Sequence, residues 1–162
     1  MRSQLNGRTL GALPSNEVYL DVIVRRVEVH DAVLRAEMQD GDLVLILDPI
    51  FVQHWERLAG RVEGLGRWQG AQIRISRGRW LAPPAEDPIL LQGGRIQVGD
   101  ERFDDLIPFP LEATGAVKGV FIPRDNSPRS LEFAGTSMTL ALTGEPRGAE
   151  PLPAEWAPSN LI

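Results

Sequence analysis

The stretch A-V-L-R-A-E-M-Q-D-G-D-L-V-L-I-L-D-P-I-F-V-Q-H-W-E-R-L-A-G, residues 32–60, decides the fold. Leu34, Ala36 and Met38 alternate with Arg35, Glu37 and Gln39, the period of two expected of a half-buried strand. Asp40-Gly41 follows. Both central residues of a type I′ turn need positive φ, which Asp tolerates and Gly adopts freely, so the pair predicts a two-residue hairpin. On the return strand Leu43, Leu45 and Leu47 should share the face of Leu34, while Val44 and Ile46 make the opposite face apolar too. A strand apolar on both faces is expected near the middle of a sheet.

The end of the stretch reads as a helix. Asp48 stands where an N-cap belongs. Pro49 suits a first helical position, where its missing N–H is not needed. Phe51, Trp55 and Leu58 recur at helical spacing, with Val62 a further candidate for the same stripe. Gly60 suits the left-handed residue that ends a helix. These signals predict one short α-helix over about 49–59, with Trp55 anchoring it to the sheet.

Moving outward, Val18, Leu20, Val22 and Val24 alternate on even positions, and Val27 and Val29 continue on odd ones. A one-residue slip of that kind predicts a β-bulge near Arg25-Arg26, or two strands with a break between them. After the helix, residues 60–70 read as a glycine-punctuated connection. Further strands are expected over 71–76, from Arg79, over 89–91, over 95–98 with a G-D-E turn into Arg102-Phe103, and over 116–122, 130–134 and 137–143. Residues 82–88, A-P-P-A-E-D-P, cannot be regular structure, because proline lacks a donor and restricts its neighbour. Residues 34–49 and 131–146 align without gaps in a weak internal echo, which short hairpins produce by chance more often than by duplication.

The domain organisation is an N-terminal arm over 1–16, a single β-rich domain over 17–143 and a Pro-rich C-terminal tail over 144–162. The tail's four prolines and few branched apolar residues favour an extended or disordered course; if ordered, it packs on the body through Leu152 and Trp156 or is held by a neighbouring chain. The whole reads as mostly β: an antiparallel β-sandwich or a partly open β-barrel. The strand–strand–strand–helix–strand order resembles an OB-type barrel in outline. The H-D-A turn that leads into the hairpin is similar to that of small bacterial immunity-type β proteins.

Composition bounds the chemistry. The 162 residues contain no cysteine and two histidines, which excludes disulfides, thiol catalysis and cysteine-ligated zinc. No apolar leader or run long enough to span a membrane is present, so a cytoplasmic protein is expected. The net charge of −5 is segregated: residues 31–66 carry seven acids against three arginines, 67–82 four arginines and no acid, and 83–115 seven acids against two arginines. Neither His30 nor His54 has metal-ligand spacing, no G-x-S-x-G marks a serine nucleophile, and no phosphate loop or dinucleotide fingerprint occurs. No catalytic residue, cofactor or metal is expected.

Two groups remain as contact candidates. The segment R-W-Q-G-A-Q-I-R-I-S-R-G-R-W, residues 67–80, offers Trp68, Arg74, Arg77, Arg79 and Trp80. Arginine with aromatic residues on a strand can grip single-stranded nucleic acid, phosphates by charge and bases by stacking. It can equally cover an apolar sheet face or pair with acids of the same chain. Asp100, Glu101, Asp104 and Asp105 form an acidic group in turns, where solvated acids are ordinary. The reading is a non-catalytic, bacterial-type accessory protein acting through protein–protein contacts, with an inhibitor or immunity protein as the specific version; homo-oligomer formation is included, membrane association is not. The alternatives are an OB-like single-strand nucleic-acid binder using 67–80 and a carboxylate-dependent hydrolase.

Overall fold

The computed structural model describes residues 22–125 and 129–161. The Asp40-Gly41 turn joins β2 (Val33–Gln39) to β3 (Asp42–Leu58), and its two residues have φ of 52° and 86°, as a type I′ turn requires. Leu34 faces Leu47 and Ala36 faces Leu45 across the ladder, so the leucines of both strands line one core.

The helix expected over 49–59 does not form. β3 continues through Pro49 and Trp55 to Leu58, then turns at Ala59-Gly60 into β4 (Arg61–Ser76). Ala59 and Gly60 have φ of 54° and 81°, which makes a second two-residue hairpin rather than a helix end. Two physical ambiguities explain the difference. Phe51 and Trp55 lie four residues apart, which is about one helical turn but also two full strand periods. Asp48-Pro49 sits at a bulge: between the pairs of Leu47 with Ala71 and Ile50 with Gln69, β3 advances three residues while β4 advances two. A residue without a donor fits a bulge as well as it fits a first helical turn. The connection expected over 60–70 is likewise strand, paired along its length with β3.

β1 (Val22–Glu28) also differs from expectation. It pairs with β3 without a register shift from Val22 opposite Arg57 to Glu28 opposite Phe51, so no bulge lies near Arg25-Arg26. The apolar phase changes because the strand serves two cores on opposite faces. Val22 and Val24 pack on the smaller one; Val27, with Val29 just beyond the strand, belongs to the larger.

The remaining strands are β5 (Arg79–Ala82), β6 (Ile89–Val98), β7 (Glu101–Asp104), β8 (Leu106–Pro108), β9 (Leu111–Pro123) and β10 (Leu131–Pro151). Neighbours run β2-β6-β9-β10-β4-β3-β1-β8, and β2 also pairs with β3. The single antiparallel sheet therefore curls toward a ring without becoming a closed barrel, since β2 meets β6 only through Val33 with Leu90 and Leu34 with Ile89. The large core fills the curl: Leu43, Leu45, Leu47, Ile73 and Ile75 from the long hairpin meet Phe121 and Phe133, whose rings contact edge-on at 5.2 Å. Residues 131–146 lie within β10, so they are not a second hairpin echoing 34–49.

The smaller core forms where the chain's end crosses the sheet. β10 passes Thr143 and reaches Pro151 beside Leu65, and the Leu152 N–H then donates to the Gly64 carbonyl at 3.0 Å. Two 3-10 turns follow, Ala154–Trp156 and Ser159–Leu161. Leu152 and Leu161 are buried with Phe51 and Trp55, and Trp55 is fully enclosed. Burying a side chain of that size contributes roughly 1.5–3 kcal/mol. Trp156 is 51% exposed, and its carbonyl accepts from Arg26. The arm over 1–16 lies outside the described residues. Among the described residues no helix is long and apolar enough to cross a membrane.

Candidate binding face

The outer halves of β1, β3 and β4 form a three-stranded extension of the sheet. Residues directly opposite one another in an antiparallel ladder share a face. One face carries the rows of Val24, Trp55 and Gly64, and of Arg26, Gln53 and Gly66. The other carries the rows of Ile23, Glu56 and Glu63; of Arg25, His54 and Leu65; and of Val27, Val52 and Arg67.

The first face is sealed. Residues 152–161 cross it as a strap from the β4 side to the β1 side. Gln53, the buried polar residue of the core, organises the polar contacts beneath. Its Oε1 accepts from Trp55 Nε1 at 2.9 Å and from Arg26 Nε at 3.0 Å, while its Nε2 donates to Glu28 at 3.2 Å. Arg26 Nη2 then donates to the Trp156 carbonyl at 2.9 Å, and Arg57 Nη1 to the Leu161 carbonyl at 3.5 Å. Burial pulls the Arg26 pKa below that of a free guanidinium, with the Glu28 carboxylate opposing the shift. Arginine still keeps its charge in this setting.

The second face has no such cover. Ile23 and Leu58 stand 58% and 55% exposed on it. Arg25 Nε donates to His54 Nδ1 at 3.2 Å, so that nitrogen is the acceptor; His54 Nε2 then carries the proton and donates to Glu56 at 2.7 Å. Glu56 lies directly opposite Glu63, a like-charge pair that would weaken the ladder. Each acid has a cation or donor on its own strand, His54 for Glu56 and Arg61 for Glu63 at 2.6 Å. Where this face meets the large core, Arg25, Val52, His54, Leu65, Arg67 and Phe109 enclose a cleft of about 340 Å³.

The contact candidates read from the sequence are spread over several sites. Trp68 packs edge-on against Phe51 in the smaller core at 5.1 Å, and Trp80 edge-on against Phe133 in the larger one at 5.8 Å. The two indoles thus serve separate cores and form no common stacking platform. Arg74 clamps the mouth of the first hairpin, giving Nη1 to Asp42 at 2.9 Å and Nη2 to Gln39 at 2.6 Å. Asp42 also accepts the Arg77 backbone N–H at 3.2 Å, and the Arg74 hydrogen bond, then the Arg77 one, hold its carboxyl below the ordinary range. The Arg77 and Arg79 side chains are exposed around the next turn.

Asp100 and Glu101 sit exposed at the β6–β7 hairpin. Asp104 is engaged by Arg102 at 3.1 Å. Asp105 has φ of 58°, and its Oδ1 accepts the Gly94 N–H at 2.8 Å, which fixes the turn into β8. The other histidine, His30, lies at the β1–β2 turn with Asp31 at 3.1 Å and Arg124 at 3.0 Å. Among the described residues no three His, Asp or Glu side chains gather as a metal site.

Ile23, Arg25, His54 and Leu58 are not read from the sequence as one face, because β3 reads as a helix beyond Asp48, with Leu58 on its buried stripe. On a helix His54 and Leu58 share a flank and Arg25 has no neighbour to meet; on a strand His54, Glu56 and Leu58 alternate onto one face opposite Arg25. Comparison with protein-family models, curated proteins and solved structures finds no match for this chain.

Proposed function

We propose that this chain is a non-catalytic binding protein that acts through protein–protein contacts, and that the uncovered face of β1, β3 and β4 is its contact surface. What supports the reading is the asymmetry of one three-stranded unit. Its Trp55 face is sealed by the chain's own strap, while the opposite face leaves Ile23 and Leu58 exposed, with Arg25 one row inward of Ile23 and Arg61 opposite Leu58. Single exposed apolar residues are ordinary on a protein surface. Two on one sheet face, bordered by Leu65 and Phe109 and edged by Arg25 and the Glu56–Glu63 pair, fit a small apolar contact patch with a charged rim. A cytoplasmic, bacterial-type accessory role of the inhibitor or immunity kind goes with this proposal.

Cross-linking of the native protein in its own cells, read by mass spectrometry, tests it. Cross-links should map to the edges of this face. The Ile23→Asp, Leu58→Asp double variant should lose them while unfolding at the same denaturant concentration. Retention of the same partner by that variant, or turnover of a substrate by an isolated monomer, overturns the reading. Salt-sensitive binding of a labelled oligonucleotide that fails on Arg77→Ala, Arg79→Ala would replace it with the nucleic-acid alternative.

A further inference from the structure

The cleft at the inner end of the open face has a composition that selects a ligand. Val52, Leu65 and Leu142 line it with apolar surface, and Phe109 stands at its side. Arg25 and Arg67 flank it from β1 and β4, one ladder row apart on either side of β3. Among the described residues the Arg67 side chain has no hydrogen-bond or ion-pair partner, and the Arg25 side chain commits only Nε, to His54, leaving its terminal nitrogens for a ligand. Glu56, the carboxylate of the cleft wall, is already held by His54.

We propose that this cleft binds a carboxylate carried on a compact apolar body, with the carboxylate between Arg25 and Arg67 and the body against Val52, Leu65 and Leu142. The planar fork of a guanidinium matches the two oxygens of a carboxylate. A volume of about 340 Å³ is at the small end of ligand sites and suits one side chain or one small organic acid. Glu56 on the wall repels a doubly charged phosphate more than a singly charged carboxylate, so the site discriminates between the two anions. The same chemistry can arrive as a free acid or as an acidic, apolar segment of a polypeptide. The inference goes beyond the protein-contact reading, because a free acid fills the cleft with no partner present.

Titration of the full chain, followed by backbone amide NMR shifts, tests it with four probes: phenylacetate, the neutral phenylacetamide, the peptide acetyl-Gly-Phe-Glu-Gly-amide and inorganic phosphate. Phenylacetate or the peptide should give saturable shifts at Arg25, His54, Leu65 and Arg67, and the amide should not. Saturation by phenylacetate alone assigns the site to a free acid; saturation by the peptide alone assigns it to a polypeptide. Arg67→Gln should weaken that binding by roughly tenfold, the loss of one charged hydrogen-bonding group, with the unliganded spectrum otherwise preserved. Arg67→Lys, which keeps the charge without the fork, should fall between. No saturable shift from either carboxylate, equal binding of phosphate, or binding indifferent to Arg67→Gln would overturn the proposal.

Discussion

Trp55 lies directly across the ladder from Gly64, and a Cβ built on Gly64 would stand 2.5 Å from the indole Cε3. Gly66, one row further on the same face and opposite Gln53, has Phe51 over it diagonally, and a Cβ there would meet the ring Cζ at 2.2 Å. The two glycines are the floor on which the smaller core's aromatic rings lie. Alanine in a strand is ordinarily better than glycine by roughly 0.5–1 kcal/mol. Here the sign should reverse. Gly64→Ala and Gly66→Ala should each destabilise by about 1–3 kcal/mol, the usual cost of overpacking, read as a lower urea midpoint with an unchanged slope.

Gln53 should be costly to remove for a different reason. Its carbonyl oxygen serves both the Trp55 indole N–H and the Arg26 guanidinium. Gln53→Ala leaves the enclosed indole donor without an acceptor, a loss of about 1–3 kcal/mol. Gln53→Glu keeps the acceptor but sets a second carboxylate against Glu28, so it should recover part of the loss only at low pH, where one of the two is protonated. Urea denaturation of the two variants, side by side, separates lost hydrogen bonding from lost packing.

The strap should behave as part of the core, although it is rich in proline. Leu161 is 1% exposed against Trp55. Leu161→Ala should cost about 2–5 kcal/mol. Trp156→Ala, on the same strap but half exposed and outside the smaller core, should cost far less, since the backbone carbonyl that Arg26 holds is kept. Thermal unfolding of both variants distinguishes a packed strap from a loose one.

Acid should act on the first hairpin through Asp42. Its folded-state pKa is depressed, first by the Arg74 hydrogen bond and then by that of the Arg77 N–H. A depressed carboxyl stabilises the fold above its unfolded pKa of about 4 and loses that contribution as pH falls through the folded value. Asp42→Asn should therefore be less stable than the native chain at neutral pH, with the gap closing below about pH 4. Arg74→Gln should flatten the same acid limb. Denaturation midpoints measured from pH 7 down to about pH 2 give both curves.

The sequence carried the sheet and its turns more clearly than its layers. Asp40-Gly41 was legible because two residues of one chemistry permit one turn. The leucines of β3 were legible because alternation over several residues has a single period. Trp55 was not, since a spacing of four belongs to helix and strand alike, and Asp48-Pro49 suits a cap or a bulge. Val22 through Val29 changed phase for a reason no local pattern encodes: two cores on opposite sides of one strand. Arg74 and Asp105 are legible as charged candidates, but their partners, Asp42 and Gly94, lie on other strands and are met only in the folded sheet. The face of Arg25, His54 and Arg67 exists only once three strands are in register.

All of this rests on His54 and Trp55 pointing to opposite sides of a strand. The most direct test is a backbone NMR assignment of residues 48–66 with cross-strand proton contacts. Strand-type Cα shifts over 50–58, with contacts linking Trp55 to Gly64 and His54 to Leu65, are the predicted result. Helical Cα shifts over that segment, with contacts from Phe51 to Trp55 along one chain instead, would contradict it and dissolve the open face and the cleft together.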